Sequence, residues 1–428
     1  MGQRLPQRTG AKADSSNAEI AMSSLANHPA PAPRRHDVDA LRVLAFGLLI
    51  LYHVGMFYVA DWGWHVKSEH QSEALQGLMM VVNQWRMPLI FMISGLALSF
   101  VIDRYRGSAL AGKRSWRLLL PLIFGMLLIV PPQAYYQALT TGAAEPGYLN
   151  FLIRYFTFQP WPEGAFDGSD PGITWNHLWY LPYLWLYTML LIPLNLWLRG
   201  RGQVWAKRFG ELRGWRLVLL PTLPLLVYGL TLFPLFGGVS HNFTSDGYAH
   251  AMFFTFFLYG YLMGRHGGLW QALARMRWLS LGLAVLAFGI FSLANDQLPE
   301  DRNLLQQVLG GMAVYLNRWL WLLAVLGWGH YALNRPFRWL PYATEAVYPW
   351  YILHQSIIVI AGYNLARLGL GPVLEPILLL LATFGGCALI HEVIIRRTTW
   401  LRPLFGLDAR PRPRSPAVND GHLSAEHG

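Results

Sequence analysis

The 428-residue chain holds a single cysteine, Cys387, so neither an intrachain disulfide nor a cysteine-based metal centre can form. No metal site is expected. Charge is also scarce: Asp, Glu, Lys and Arg make up 13% of the residues, against about 25% in a soluble globular domain. There is no GxSxG elbow, no GxxxxGK(S/T) phosphate loop and no HExxH helix. No apolar run follows Arg4 and Arg8, so a cleaved signal peptide is not expected. What is present is apolar, with 54% hydrophobic residues including 19 Trp, 20 Tyr and 22 Phe. That composition excludes disorder and coiled coil, and it implies one polytopic membrane domain.

Ten apolar segments approach bilayer length: 40–60, 78–102, 116–138, 177–198, 215–235, 249–265, 278–295, 307–331, 345–366 and 373–396. The expected fold is an all-α bundle of about ten transmembrane helices. The expected organisation is a disordered N-terminus over 1–35, a membrane domain over 36–397 and a disordered basic tail over 398–428. With both termini in the cytoplasm, 27 of the 34 Lys and Arg fall on the cytoplasmic side. This asymmetry follows the positive-inside rule. The net charge of +11 is therefore a topology signal, and nucleic-acid binding is not expected. The longest outer stretch, 139–176, mixes aromatics with acids. Such a surface can hold sugars, but an interfacial aromatic belt explains it more simply.

Polar side chains inside a span are costly and mark interior positions. Arg42 and His53 lie eleven residues apart on the first span, about three helical turns, so they share a face about 16 Å long. Asp39 precedes Arg42 by three residues and can pair with it. Taken singly, Arg42 can be a positive-inside anchor and His53 an interhelical hydrogen-bonding group. Together they connect an anion site near the cytoplasm to a titratable group further out. Arg86 lies about 12 Å inside the second span and needs anionic or carbonyl partners. It can stabilise an oxyanion, bind a carboxylate, or snorkel outward. Ser94 and Gly95 suit close helix contact. Arg114 and Arg117 share one face before the third span, suited to phosphates or anionic lipid. His177 and Tyr180 open the fourth span, and His354 lies mid-way along the ninth as a second proton carrier or a packing group. Arg318 has no assigned task.

These residues resemble acyltransferase family 3, a family of integral membrane proteins, over most of 36–397. The resemblance rests on Arg-x10-His, here Arg42 and His53, preceded by Asp39-Ala40-Leu41-Arg42. It continues through Phe91-Met92-Ile93-Ser94-Gly95, the pair Arg114 and Arg117, and His177-Leu178-Trp179-Tyr180-Leu181. It ends with Tyr348-Pro349-Trp350-Tyr351-Ile352-Leu353-His354. Within the family, the late segment and the length are most similar to the glucan biosynthesis protein C group.

The resemblance implies transfer of an acyl group, succinyl or acetyl, from cytoplasmic acyl-CoA to a hydroxyl of a periplasmic or cell-surface glycan at the inner membrane. Acyl-CoA is then a co-substrate, and no bound cofactor is expected. On this expectation Arg42, Arg114 and Arg117 hold the CoA phosphates. His53 is general base or acyl carrier, Arg86 serves the oxyanion, and Asp39, Ser94, His177, Tyr180 and His354 support them. The alternative is a transporter or flippase of a glycan or lipid-linked precursor. A scaffold for glycan-synthesis machinery is a third reading, which leaves Arg42, His53 and Arg86 without a task.

Overall fold

Two aspartates start the first helix of the computed structural model, which describes residues 35–170, 172–297 and 303–409. Asp37 and Asp39 occupy the first turn of α1 (His36–Met56), where carboxylates favour the positive end of the helix dipole. Ser72 caps α2 (Glu73–Asn83) by accepting from the Leu75 amide. After a break at Gln84 and Trp85 comes α3 (Arg86–Ser99). The expected span 78–102 is thus built of two helices, which together make one candidate membrane span over 73–104. The break exposes the Gln84 carbonyl to a partner, the Arg318 side chain.

The next helix, α4 (Gly107–Phe124), widens into a π-helical turn at Gly125–Ile129. It then bends by 41° into α5 (Pro131–Thr140). Pro131 and Pro132 lack the amide hydrogens that would continue the ladder. A short helix, α6 (Tyr148–Phe156), packs Phe151 and Tyr155 against Trp161 and Phe166. Then follow α7 (Tyr180–Arg199), α8 (Gln203–Gly210), α9 (Gly214–Leu219), α10 (Thr222–Thr231), α11 (Phe233–Phe236) and α12 (Gly247–Gly264). The long pair α13 (Gly267–Gln297) and α14 (Leu304–Leu333) precedes α15 (Leu340–Ala366) and α16 (Gly371–Leu389). Among the described residues there is no sheet, and the one bridge joins Val59 to Ser72.

Every one of the ten expected segments is largely helical. Seven are long and apolar enough to cross a membrane, or eight if the bent pair α4–α5 is one span. Neither α12 nor α15 meets that measure. Both are enclosed by other helices, so tyrosines, His250, His354 and Gln355 are tolerated where lipid contact would require apolar groups. The seventh segment begins at Gly267 rather than 278, because Arg275 and Arg277 are helical. Arg277 lies 3.9 Å from the Tyr331 ring centroid and hydrogen-bonds the Ala274 carbonyl, so its charge is held without a loop.

Helices α3 and α12 cross backbone to backbone. A methyl on Gly95 would sit 1.8 Å from the Phe257 carbonyl oxygen, and one on Gly260 would sit 1.8 Å from that of Met92. Only glycine permits this approach. Around the crossing, Phe91, Phe256, Phe257 and Trp319 are fully buried.

Order also extends beyond residue 397, where the sequence placed a disordered tail. Residues Arg402–Phe405 form a 3-10 turn. Phe405 packs edge-on to Phe124 at 5.2 Å, and Arg402 lies 3.3 Å from Glu345. Apolar burial and this ion pair hold the segment. Of the expected disordered ends, residues 1–34 and 410–428 lie outside the described residues.

Candidate functional site

The helical face carrying Arg42 continues through Phe46 and Leu49 to His53. Phe46, Leu49 and His53 line a cavity of about 320 Å³. Arg86, Gln84 and Asn83 enter it from the α2–α3 break, and Arg318 enters from α14. Two guanidinium groups thus face a cavity that, among the described residues, no aspartate or glutamate lines. The guanidinium carbon of Arg86 sits 3.4 Å from the Tyr52 ring centroid. Its Nε and Nη1 are buried and have no hydrogen-bond partner among the described residues. Arg318 is better held: Nε donates to the Gln84 carbonyl at 2.8 Å, and Nη1 approaches the Met252 sulfur at 2.7 Å.

Behind His53 stands His354, which is fully buried. His53 Nδ1 and His354 Nε2 are 2.8 Å apart, with the rings 6° from parallel. His354 Nδ1 lies 2.8 Å from the Tyr351 carbonyl and 3.2 Å from that of Trp350. The His177 ring meets His354 edge-on at 5.1 Å. Its Nε2 donates to the Ile352 carbonyl at 3.1 Å, and Gln133 Nε2 donates to its Nδ1 at 3.3 Å. Sequence position put His177 at the opening of the fourth span; the fold makes it a buried member of this cluster.

At the other end of the α1 face, Arg42 pairs with Asp39 at 3.3 Å, as expected from their spacing. Arg114 lies within electrostatic reach of Arg42, Arg117, Tyr180 and Tyr348. Between this arginine group and the cavity stand three rings, Phe46, Tyr180 and Tyr351. Their centroids are 5.4 to 6.2 Å apart, all edge-to-face. Ser94 donates to the Ile90 carbonyl at 2.9 Å and accepts from the Tyr180 hydroxyl at 2.5 Å. Tyr351 donates to the His177 carbonyl at 2.7 Å. Both tyrosines are therefore latched, whereas Phe46 has no polar handle.

The expected residues thus form two groups along one face. His53, Arg86, His177 and Tyr180 line the cavity with His354 behind, while Arg42, Arg114 and Arg117 gather beyond the aromatic rings. Sequence reasoning missed the polar support. Gln133 contacts His177, Ser356, Gln355 and Asn176. Gln355 reaches His65 at 2.7 Å, and His65 meets Gln137 and Asp167. The signal was available, because Gln133, Gln137 and Gln355 are amides inside otherwise apolar segments and need buried partners.

A family model described as an acyltransferase domain, that of acyltransferase family 3, matches residues 35–392. The chain belongs to this family. It is a membrane protein and an acyltransferase. Among curated proteins it is similar to glucans biosynthesis protein C of Escherichia coli K12, O157:H7 and O139:H28. Each is 22% identical over 350 residues, covering 78% of this chain and 85% of the relative. No solved structure matches it.

Proposed function

We propose that this membrane acyltransferase moves an acyl group, succinyl or acetyl, from cytoplasmic acyl-CoA to a hydroxyl of a periplasmic or cell-surface glycan. In this reading ten helices cross the inner membrane and both termini are cytoplasmic. The observation that carries it is the cavity, which brings the His53 ring together with a buried guanidinium, Arg86, that has unused donors. A base and an oxyanion partner are what acyl transfer to a hydroxyl requires.

The donor's phosphates meet Arg42, Arg114 and Arg117, and its thioester arm runs past Phe46 to His53. An acceptor hydroxyl gives its proton to His53 as its oxygen attacks the thioester carbonyl. Arg86 stabilises the resulting oxyanion. Collapse breaks the carbon–sulfur bond, and the departing thiolate recovers the proton from His53. The test is mass spectrometry of periplasmic and surface glycans from a deletion strain complemented with wild type or His53→Ala at matched levels. An acyl modification restored by wild type alone is expected. Full restoration by His53→Ala overturns the role of His53, and no glycan change in any strain returns weight to a transporter.

A further inference from the structure

The partners of His354 dictate where its protons lie. Backbone carbonyls only accept, so the 2.8 Å contact to the Tyr351 oxygen requires a hydrogen on His354 Nδ1. The opposite tautomer would set a nitrogen lone pair against two carbonyl oxygens. A doubly protonated ring would be a fully buried cation with no carboxylate among its ring or hydrogen-bond partners in the described residues. His354 Nε2 is therefore a bare lone pair, and its 2.8 Å neighbour, His53 Nδ1, carries the hydrogen between them. The remaining nitrogen of neutral His53, Nε2, is left unprotonated, and it has no hydrogen-bond partner among the described residues.

We propose that His354 is a positioning residue that fixes His53 in the tautomer whose Nε2 acts as base. This rests on the acyl-transfer reading above and adds a direction to it. The chain His53–His354–Tyr351 carbonyl ends on a group that cannot take a proton. The proton that His53 Nε2 removes from the acceptor hydroxyl therefore has one exit, back through Nε2 to the thiolate. One O–H and one C–S bond break, one C–O and one S–H bond form, and both histidines end as they began.

The primary test is nitrogen NMR of wild-type protein carrying 15N-histidine, with His53 assigned by its loss in His53→Asn. His53 is expected to show a protonated Nδ1 and an unprotonated Nε2. A protonated Nε2 in the resting enzyme overturns the proposal, whatever the activity. His354→Phe removes the acceptor and should lower kcat by about 10²–10⁴-fold, with KM for acyl-CoA unchanged. His354→Gln offers a carbonyl oxygen to the Nδ1 hydrogen and should retain activity within about tenfold of wild type. Full activity in His354→Phe, or equal loss in both variants at normal protein level, contradicts the positioning role. If the tautomer is as stated but no acyl transfer occurs, the functional reading fails and the assignment of His354 stands.

Discussion

Replacing Arg86 by methionine should separate function from stability. Among the described residues, two buried donors of the guanidinium, Nε and Nη1, have no partner and no acid lines its cavity. Each unmade buried donor costs about 1–3 kcal/mol. The contact over Tyr52 returns about 0.5–2 kcal/mol. Two such donors cost about 2–6 kcal/mol and the ring contact offsets only part of that, so Arg86→Met should leave the folded protein unchanged or raise its stability by up to about 5 kcal/mol. Transfer should fall by about 10²–10³-fold, the loss expected for one oxyanion donor. Arg86→Lys should be nearly as inactive, because an ammonium lacks the paired donors. The assay is a thermal unfolding midpoint in detergent beside the rate of acyl transfer. A variant both inactive and markedly less stable would show instead that Arg86 holds the fold together.

Other outcomes follow from particular contacts. Gly260→Ala places a methyl 1.8 Å from the Met92 oxygen and should abolish folded protein on fluorescence size exclusion, whereas Gly47→Ala has nothing within 4 Å and should match wild type. Neutralising Arg114 and Arg117 together with glutamine should raise KM for acyl-CoA about 10–100-fold with kcat retained, as measured by initial rates. Phe46→Ala opens the ring partition, and CoA release without acceptor, followed by a thiol reagent, should rise several-fold as water enters.

Much of this molecule is legible in its sequence. Spacing alone placed Arg42 and His53 on one face and paired Asp39 with Arg42, because helical periodicity is a local property. Arg86 and Arg318 stood out as charges in apolar sequence, but only the fold shows that they share a cavity. The partners of His53 were less visible. His354 lies 301 residues away in sequence, and nothing local distinguishes a packing histidine from one that holds another in a chosen tautomer. The break at Gln84 and Trp85 was hidden for a similar reason: local apolarity favours one continuous helix, while the Arg318 contact that uses the broken carbonyl comes from another part of the chain. The enclosed helices α12 and α15 show that burial in protein relaxes the apolarity that lipid contact demands.

In the proposed reaction one face of α1 carries an acyl group from a donor on one side to an acceptor on the other through His53. Purified protein in liposomes, given radiolabelled acyl-CoA outside and a glucan acceptor sealed inside, tests it directly. Label should appear on the enclosed glucan with wild type and be absent with His53→Ala. Equal labelling by both, or labelling only of glucan placed on the donor side, would contradict the account.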